Sequence, residues 1–104
     1  MERSIKQNGE RGYKVSIPKS VLVGSGFFVG DRLYCCCGDG MLVYRRIRNP
    51  GWVLLGEYNV LGVGYEVFLT LPVAYIKTLR LWLGQGIDVS CPEKGVIMVK
   101  VVGA

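Results

Sequence analysis

The residues with chemistry to offer are cations, and they are unevenly spread. Arg3, Lys6, Arg11, Lys14, Lys19, Arg32, Arg45, Arg46 and Arg48 stand in residues 1–48, against Glu2, Glu10, Asp31 and Asp39. The rest of the chain carries four residues of each sign, so the whole net charge of +5 belongs to the first half. A one-sided excess of this kind suits a surface that faces a polyanion. Other chemistries lack their parts. There is no histidine, so no Cys/His or Ser/His nucleophile pair can be assembled. Cys35, Cys36 and Cys37 are consecutive, and on a strand their side chains alternate between faces, which prevents them from gripping one tetrahedral zinc together. With Cys91 they read as small buried hydrophobes. The glycines at 24, 26 and 30 lack the Lys-Ser/Thr ending of a phosphate loop and the spacing of a dinucleotide fingerprint. Nothing around Gly24-Ser25 supports self-cleavage to a pyruvoyl group. No catalytic, cofactor-binding or metal-ligating residue is expected, and no enzymatic activity.

The elements that must position the cations follow from length and pattern. A chain of 104 residues is one domain, residues 1–104. At this size about two-thirds of the unfolded surface is buried, enough for a core without metals. No apolar run reaches the roughly 18 to 20 residues of a membrane span; the longest, Val67 to Ala74, is interrupted by Thr70 and Pro72. The opening Met-Glu-Arg-Ser-Ile-Lys lacks the apolar centre of a secretory signal. A cytoplasmic location is expected.

The chain repeats itself. A shift of 54 residues lays Tyr-Lys-Val-Ser-Ile-Pro (13–18) on Val-Phe-Leu-Thr-Leu-Pro (67–72), Gly30 on Gly84, Leu33 on Ile87 and Cys37 on Cys91. After one inserted residue, Asp39-Gly40-Met-Leu-Val-Tyr-Arg lies on Glu93 and Gly95-Val-Ile-Met-Val-Lys. Two units result, approximately 3–48 and 52–102, joined at Asn49-Pro50-Gly51. Each reads as an alternating strand ending at proline, a short helical segment, a strand after glycine (Arg32–Cys37 or Ile87–Cys91), a tight turn and a last strand (Met41–Ile47 or Val96–Val102). Asp39-Gly40 is a hairpin signal. Ser4–Lys6 and Trp52–Asn59 each add a strand. The segment Pro72–Arg80 suits a short helix with Val73, Ile76 and Leu79 inward. Its counterpart Val21-Leu-Val-Gly-Ser-Gly is β-branched and glycine-rich, so a helix there should be short or irregular. One unit cannot bury its apolar face alone, so the two are expected to interlock within the chain.

These motifs resemble those of the AbrB-type (SpoVT/AbrB-like) swapped-hairpin family. Lys14-Val15-Ser16-Ile17-Pro18-Lys19, then Gly30-Asp31-Arg32-Leu33, then Asp39-Gly40-Met41-Leu42-Val43 follow its pattern, with twelve residues from Pro18 to Gly30 and again from Pro72 to Gly84. The resemblance spans residues 3 to 102 and is to the tandem form, in which two units of one chain make the barrel. It implies a mainly β fold with minor helix: a pseudo-two-fold swapped-hairpin β-barrel of two ββαβ-like repeats, with a double-psi arrangement as the variant. It further implies duplex DNA as partner and a role in transcription regulation. Arg3, Lys6, Arg11, Lys14, Lys19, Arg46 and Arg48 are the candidate DNA-binding residues, with Arg46 and Arg48 acting together by strand alternation. The chain departs from the family where Val23 and Gly24 replace helical arginines, where Phe68 replaces the basic residue before Leu-Pro, and where Gln85 replaces the aspartate.

Unit two therefore reads as a structural or partner-binding half, offering a neutral surface for a homodimer or another protein. An interaction or antitoxin-like module is the alternative, weakened by the last strand's standing at the end of the chain, without a toxin-wrapping tail. A small-molecule-binding double-psi barrel is a third reading. Phe27, Phe28, Trp52, Tyr75 and Trp82 have faces on which bases could stack, but in an apolar-rich small domain they read as core. Cys37 and Cys91, related by the repeat, would form a disulfide only if the pseudo-axis brought their Cα atoms within about 7 Å.

Overall fold

The computed structural model describes residues 1–103. Each unit contains six elements in the same order: β1 (Glu2–Ser4), β2 (Lys6–Asn8), β3 (Gly12–Ser16), α1 (Lys19–Ser25), β4 (Arg32–Gly38) and β5 (Met41–Arg45), then β6 (Val53–Asn59), β7 (Leu61–Val63), β8 (Glu66–Leu71), α2 (Val73–Thr78), β9 (Gly86–Glu93) and β10 (Val96–Val101). The fold is mainly β, in two antiparallel sheets. One has six strands in the order β1-β9-β10-β5-β4-β6, the other four in the order β2-β3-β8-β7.

Both orders read the same when each strand is exchanged for its counterpart in the other unit. The registers agree. Val15 of β3 pairs with Leu69 of β8, and Val43 of β5 with Met98 of β10; each is a residue facing its own counterpart in the repeat. On either side of these pairs the partners exchange, Leu42 with Val99 and Tyr44 with Ile97. The first strand of each unit leaves its own hairpin: β1 pairs with β9, and β6 with β4. The helices cross over too. The Gly95 N–H in the β9–β10 turn donates to the Ser25 carbonyl at the end of α1 (3.0 Å), and the Tyr75 hydroxyl of α2 donates to the Gly40 carbonyl in the β4–β5 turn (2.7 Å).

The expected single strand over Ser4–Lys6 is two strands. Ile5 is the corner at which the chain leaves the large sheet and enters the small one, as Val60 is between β6 and β7. Strands that switch sheets at such bends join two sheets without closing either. Both corner residues are buried and tied by matching bonds: Ile5 N–H to the Gln85 carbonyl and Gly84 N–H to that of Ile5, Val60 N–H to the Asp31 carbonyl and Gly30 N–H to that of Val60. Neither sheet is closed, and the units are longer than ββαβ because β1/β6 and β2/β7 are separate strands.

The core lies between the sheets and is filled by related pairs: Ile5 and Val60, Val15 and Leu69, Leu33 and Ile87, Cys35 and Val89, Leu42 and Ile97, Tyr44 and Val99. Strand alternation explains this, since every second residue of β4, β5, β9 and β10 points inward. Tyr44 is wholly buried, and its hydroxyl donates to the Thr70 carbonyl of β8 at 2.6 Å, which satisfies the one polar atom and ties the two sheets together.

Several boundaries differ from expectation. β5 stops at Arg45 and not Ile47, so strand alternation does not reach Arg46 and Arg48. Helix α1 is short, as expected from its composition, yet at seven residues it is one longer than α2, held by tertiary packing of Val21 and Ser25. In α2 the inward residues are Tyr75 and Ile76, while Val73 and Leu79 are exposed. All four cysteines are free. Cys37 packs near Tyr75 and Ala74 of α2, and Cys91 beside Gly24 of α1, so the two sit under different helices. Burial pushes the Cys35 thiol up to about 12.

Candidate nucleic-acid interface

Four of the expected cations come together. Lys6 of β2 and Lys14 of β3 are directly opposed partners across an antiparallel pair. Like charges so placed repel, and the pair is accommodated by Phe68 of β8: Lys14 Nζ lies 4.2 Å and Lys6 Nζ 5.8 Å from its ring centroid. Phe68 itself is buried, covered in part by lysine stems as long cationic side chains commonly do. Next to this pair a cleft of about 810 Å³ is lined by Arg3, Lys6, Ser16, Pro18, Lys19 and Tyr65, among others. Arg3 arrives on β1, and Lys19 is set at the start of α1 by Pro18, whose extended backbone precedes the first turn.

The electrostatics of the cleft are one-sided. Lys6 has a carboxylate partner, Glu66, at 3.6 Å between two well-exposed side chains, a contact of the kind contributing under about 1 kcal/mol. Arg3, Lys14 and Lys19 have no carboxylate within ion-pair distance among the described residues. Arg11 stands exposed at the β2–β3 turn, at the end of the same small sheet.

Arg46 and Arg48 are placed elsewhere. The Arg46 guanidinium donates to Asp31 Oδ2 at 2.8 Å and to the Gly26 carbonyl at 3.3 Å, and it lies 4.9 Å from the Phe27 ring centroid. Asp31 also accepts from the Phe28 N–H at 2.9 Å. That N–H and then Arg46 hold its carboxyl below the usual value of 3.8. Arg46 is thus a surface plug, its side chain still half exposed, that ties the α1–β4 connection to the end of β5. Arg48 lies over Tyr34 of β4, 5.8 Å from the ring centroid. Neither Arg46 nor Arg48 lines the cleft, and β5, whose alternation was expected to make them act together, ends before them.

No protein-family model, curated protein or solved structure matches the chain.

Sequence reasoning missed Tyr65. It stands fully exposed in the Gly64-Tyr65 turn between β7 and β8, at the mouth of the basic cleft. The readable signal was the turn itself: a two-residue connection between strands projects its side chain into solvent. Because β3 pairs with β8, this unit-two turn is delivered beside unit-one cations. The surface is built from both units. Of the aromatics considered for stacking, Phe27 and Tyr75 are core, Trp52 lies flat on Gly38, and Phe28 and Trp82 are exposed. Chemically, the cleft offers unpaired ammonium and guanidinium groups, the Ser16 side chain and an aromatic face, which suits phosphates flanked by flat rings. No helix among the described residues is long and apolar enough to cross a membrane.

Proposed function

We propose that this protein binds duplex DNA, as a tandem relative of the AbrB-type swapped-hairpin proteins, and regulates transcription through that binding. In this reading the two sheets, joined at Ile5 and Val60, are a swapped-hairpin barrel. Arg3, Lys6, Lys14 and Lys19 contact phosphates, and Arg11 extends the row along the β2–β3 turn. The observation that carries the proposal is convergence: four cations from four successive elements share one surface on which Glu66 is the only carboxylate lining the cleft. Cations held together without counter-ions repel one another, a standing cost that an exchangeable polyanion relieves.

A gel shift on random-sequence duplex across a salt series tests it. The protein should retard DNA at low salt and lose it steeply as salt rises. Alanine at Lys14, Lys19 and Arg11 should weaken binding across unrelated sequences, while alanine at Lys94 and Lys100 should matter much less. Equal losses from both sets would mean that the two halves read DNA alike. Absence of binding at the lowest salt would refute the reading.

The second reading, a protein-interaction module working through unit two, is favoured by a distinct observation. Trp82, Leu83 and Val102 leave apolar surface exposed at one end of that unit. The two readings involve different faces and are compatible.

A further inference from the structure

The Arg46 plug has a counterpart position in unit two, and it is empty of arginine. Under the repeat, Arg46 corresponds to Val101, Asp31 to Gln85 and Gly26 to Arg80. The backbone is the same at both ends: Gly26 and Arg80 are both left-handed (φ 75° and 53°), and the Asp31 N–H to Phe28 carbonyl bond is matched by Gln85 N–H to Trp82 carbonyl. Where unit one has a guanidinium, unit two has an open groove of about 910 Å³, lined among others by Leu81, Trp82, Gln85 and Val102.

Three features of the groove describe what would fill it. Gln85, the repeat counterpart of Asp31, lines the groove, and its Oε1 is buried with no hydrogen-bond donor. A buried acceptor without a partner is destabilising, and a donor from outside relieves it. The indole of Trp82, counterpart of the exposed Phe28, is exposed on the groove wall, beside Leu81 at the position of Phe27. Finally, Glu2 and Asp39 also line the groove, and neither carboxylate is in an ion pair among the described residues; Lys100 is the one cation in the lining. An acceptor, an aromatic face and a surplus of negative charge together select a flat, multiply donating cation. Exposed apolar Leu83 and Val102 stand beside Trp82 at this end of the unit, a surface suited to a polypeptide that carries the cation.

We propose that this groove is a docking site for an arginine side chain presented by a protein partner, bound as Arg46 is bound in the other half of the molecule. The site is separate from the basic cleft and does not depend on DNA binding.

The test uses the full chain, labelled with nitrogen-15, and the blocked tripeptide Gly-Arg-Gly as probe, with Gly-Lys-Gly beside it. The arginine peptide should move the Trp82 indole and Gln85 side-chain amide signals saturably, with a Kd of the order of millimolar. The lysine peptide should bind at least about threefold more weakly, having no planar fork to stack and donate. Trp82→Ala, an exposed change, should weaken the arginine peptide about threefold. Val101→Arg with Gln85→Asp, which installs the plug of unit one, should abolish the response while the remaining amide signals keep their dispersion. No saturable shift at those two residues would overturn the proposal, as would equal binding of the two peptides or an undiminished response in both variants.

Discussion

The two halves of this molecule share a backbone plan and a core but not a surface. By strand register Arg3 corresponds to Tyr58 and Lys6 to Leu61, and by the 54-residue shift Lys14 corresponds to Phe68 and Lys19 to Val73. Every cation in the basic cleft, and Lys14 beside it, is thus answered by an apolar or aromatic residue. Inside, the counterparts match: Val15 with Leu69, Leu33 with Ile87, Leu42 with Ile97. The contrast teaches where each kind of constraint acts. Core positions must fill a shared interior in which the two units pack against each other, so a volume change in either is felt by both. Exposed positions on β2/β7 and at the helix starts are free of that coupling, and one face could become basic while its twin became apolar. The same divergence separates the Arg46 plug from the open groove beside Trp82.

Variants can break or sharpen this comparison. The largest effect is expected in the core. Leu42→Ala and Ile97→Ala remove equivalent, fully buried side chains and should each lower stability by about 2–5 kcal/mol. Denaturant unfolding should find the two losses similar; a large disparity would break the claim that the halves contribute equally. Next is a feature with no twin. Trp52, in the joint between units, lies over Gly38, where an added Cβ would clash with the indole ring. Gly38→Ala should therefore cost about 1–3 kcal/mol by overpacking, and should shift the Trp52 fluorescence; an unchanged melting temperature would show that the ring moves aside freely.

Smaller effects follow at the left-handed helix ends. An L side chain in that conformation is strained by about 1–2 kcal/mol. Gly26→Ala should destabilise by about that much. Arg80→Gly should stabilise by less than about 1 kcal/mol, the relief being partly offset by glycine's freedom in the unfolded chain. Thermal melts of the pair, moving in opposite directions, would check it. The smallest effect is local. The folded carboxyl of Asp31 titrates below 3.8, so whatever stability it contributes is present above the unfolded value and lost as pH falls through the folded one. In Arg46→Ala its titration, followed by NMR, should move upward yet stay below 3.8, because the Phe28 N–H is the larger cause.

Much of this arrangement could be read from residue order alone, for identifiable reasons. The 54-residue shift aligned positions that pair across the small sheet, Val15 with Leu69, because an axis through a repeat must cross it at matching residues. Asp39-Gly40 marked its hairpin because both residues adopt positive φ there (51° and 75°). What escaped was non-local. Nothing near Ile5 announces a corner, since the bend is imposed by bonds to Gln85 and Gly84, some eighty residues away. The inward face of α2 keeps the expected Ile76 but takes Tyr75 in place of Val73 and Leu79, because six residues make less than two turns and packing, including the Tyr75 hydroxyl on Gly40, chose the face. Arg46 looked available because its partners, Asp31 and Phe27, are distant in sequence. Among the candidate cations, Arg3, Lys6, Lys14 and Lys19 could be named but not grouped, and Tyr65 entered only once β8 was seen beside β3.

The central claim is that the basic cleft, and not its apolar twin, meets DNA phosphates. It is tested most directly by the dependence of affinity on salt, measured by fluorescence anisotropy on one random duplex. Replacing Arg3, Lys6, Lys14 and Lys19 by alanine together should reduce the log–log slope by about 0.9 for each phosphate no longer neutralised, up to about 3.6. Replacing Lys77, Lys94 and Lys100 of unit two should leave the slope nearly unchanged. A slope that stays the same after the first set, or falls equally after the second, would contradict the account.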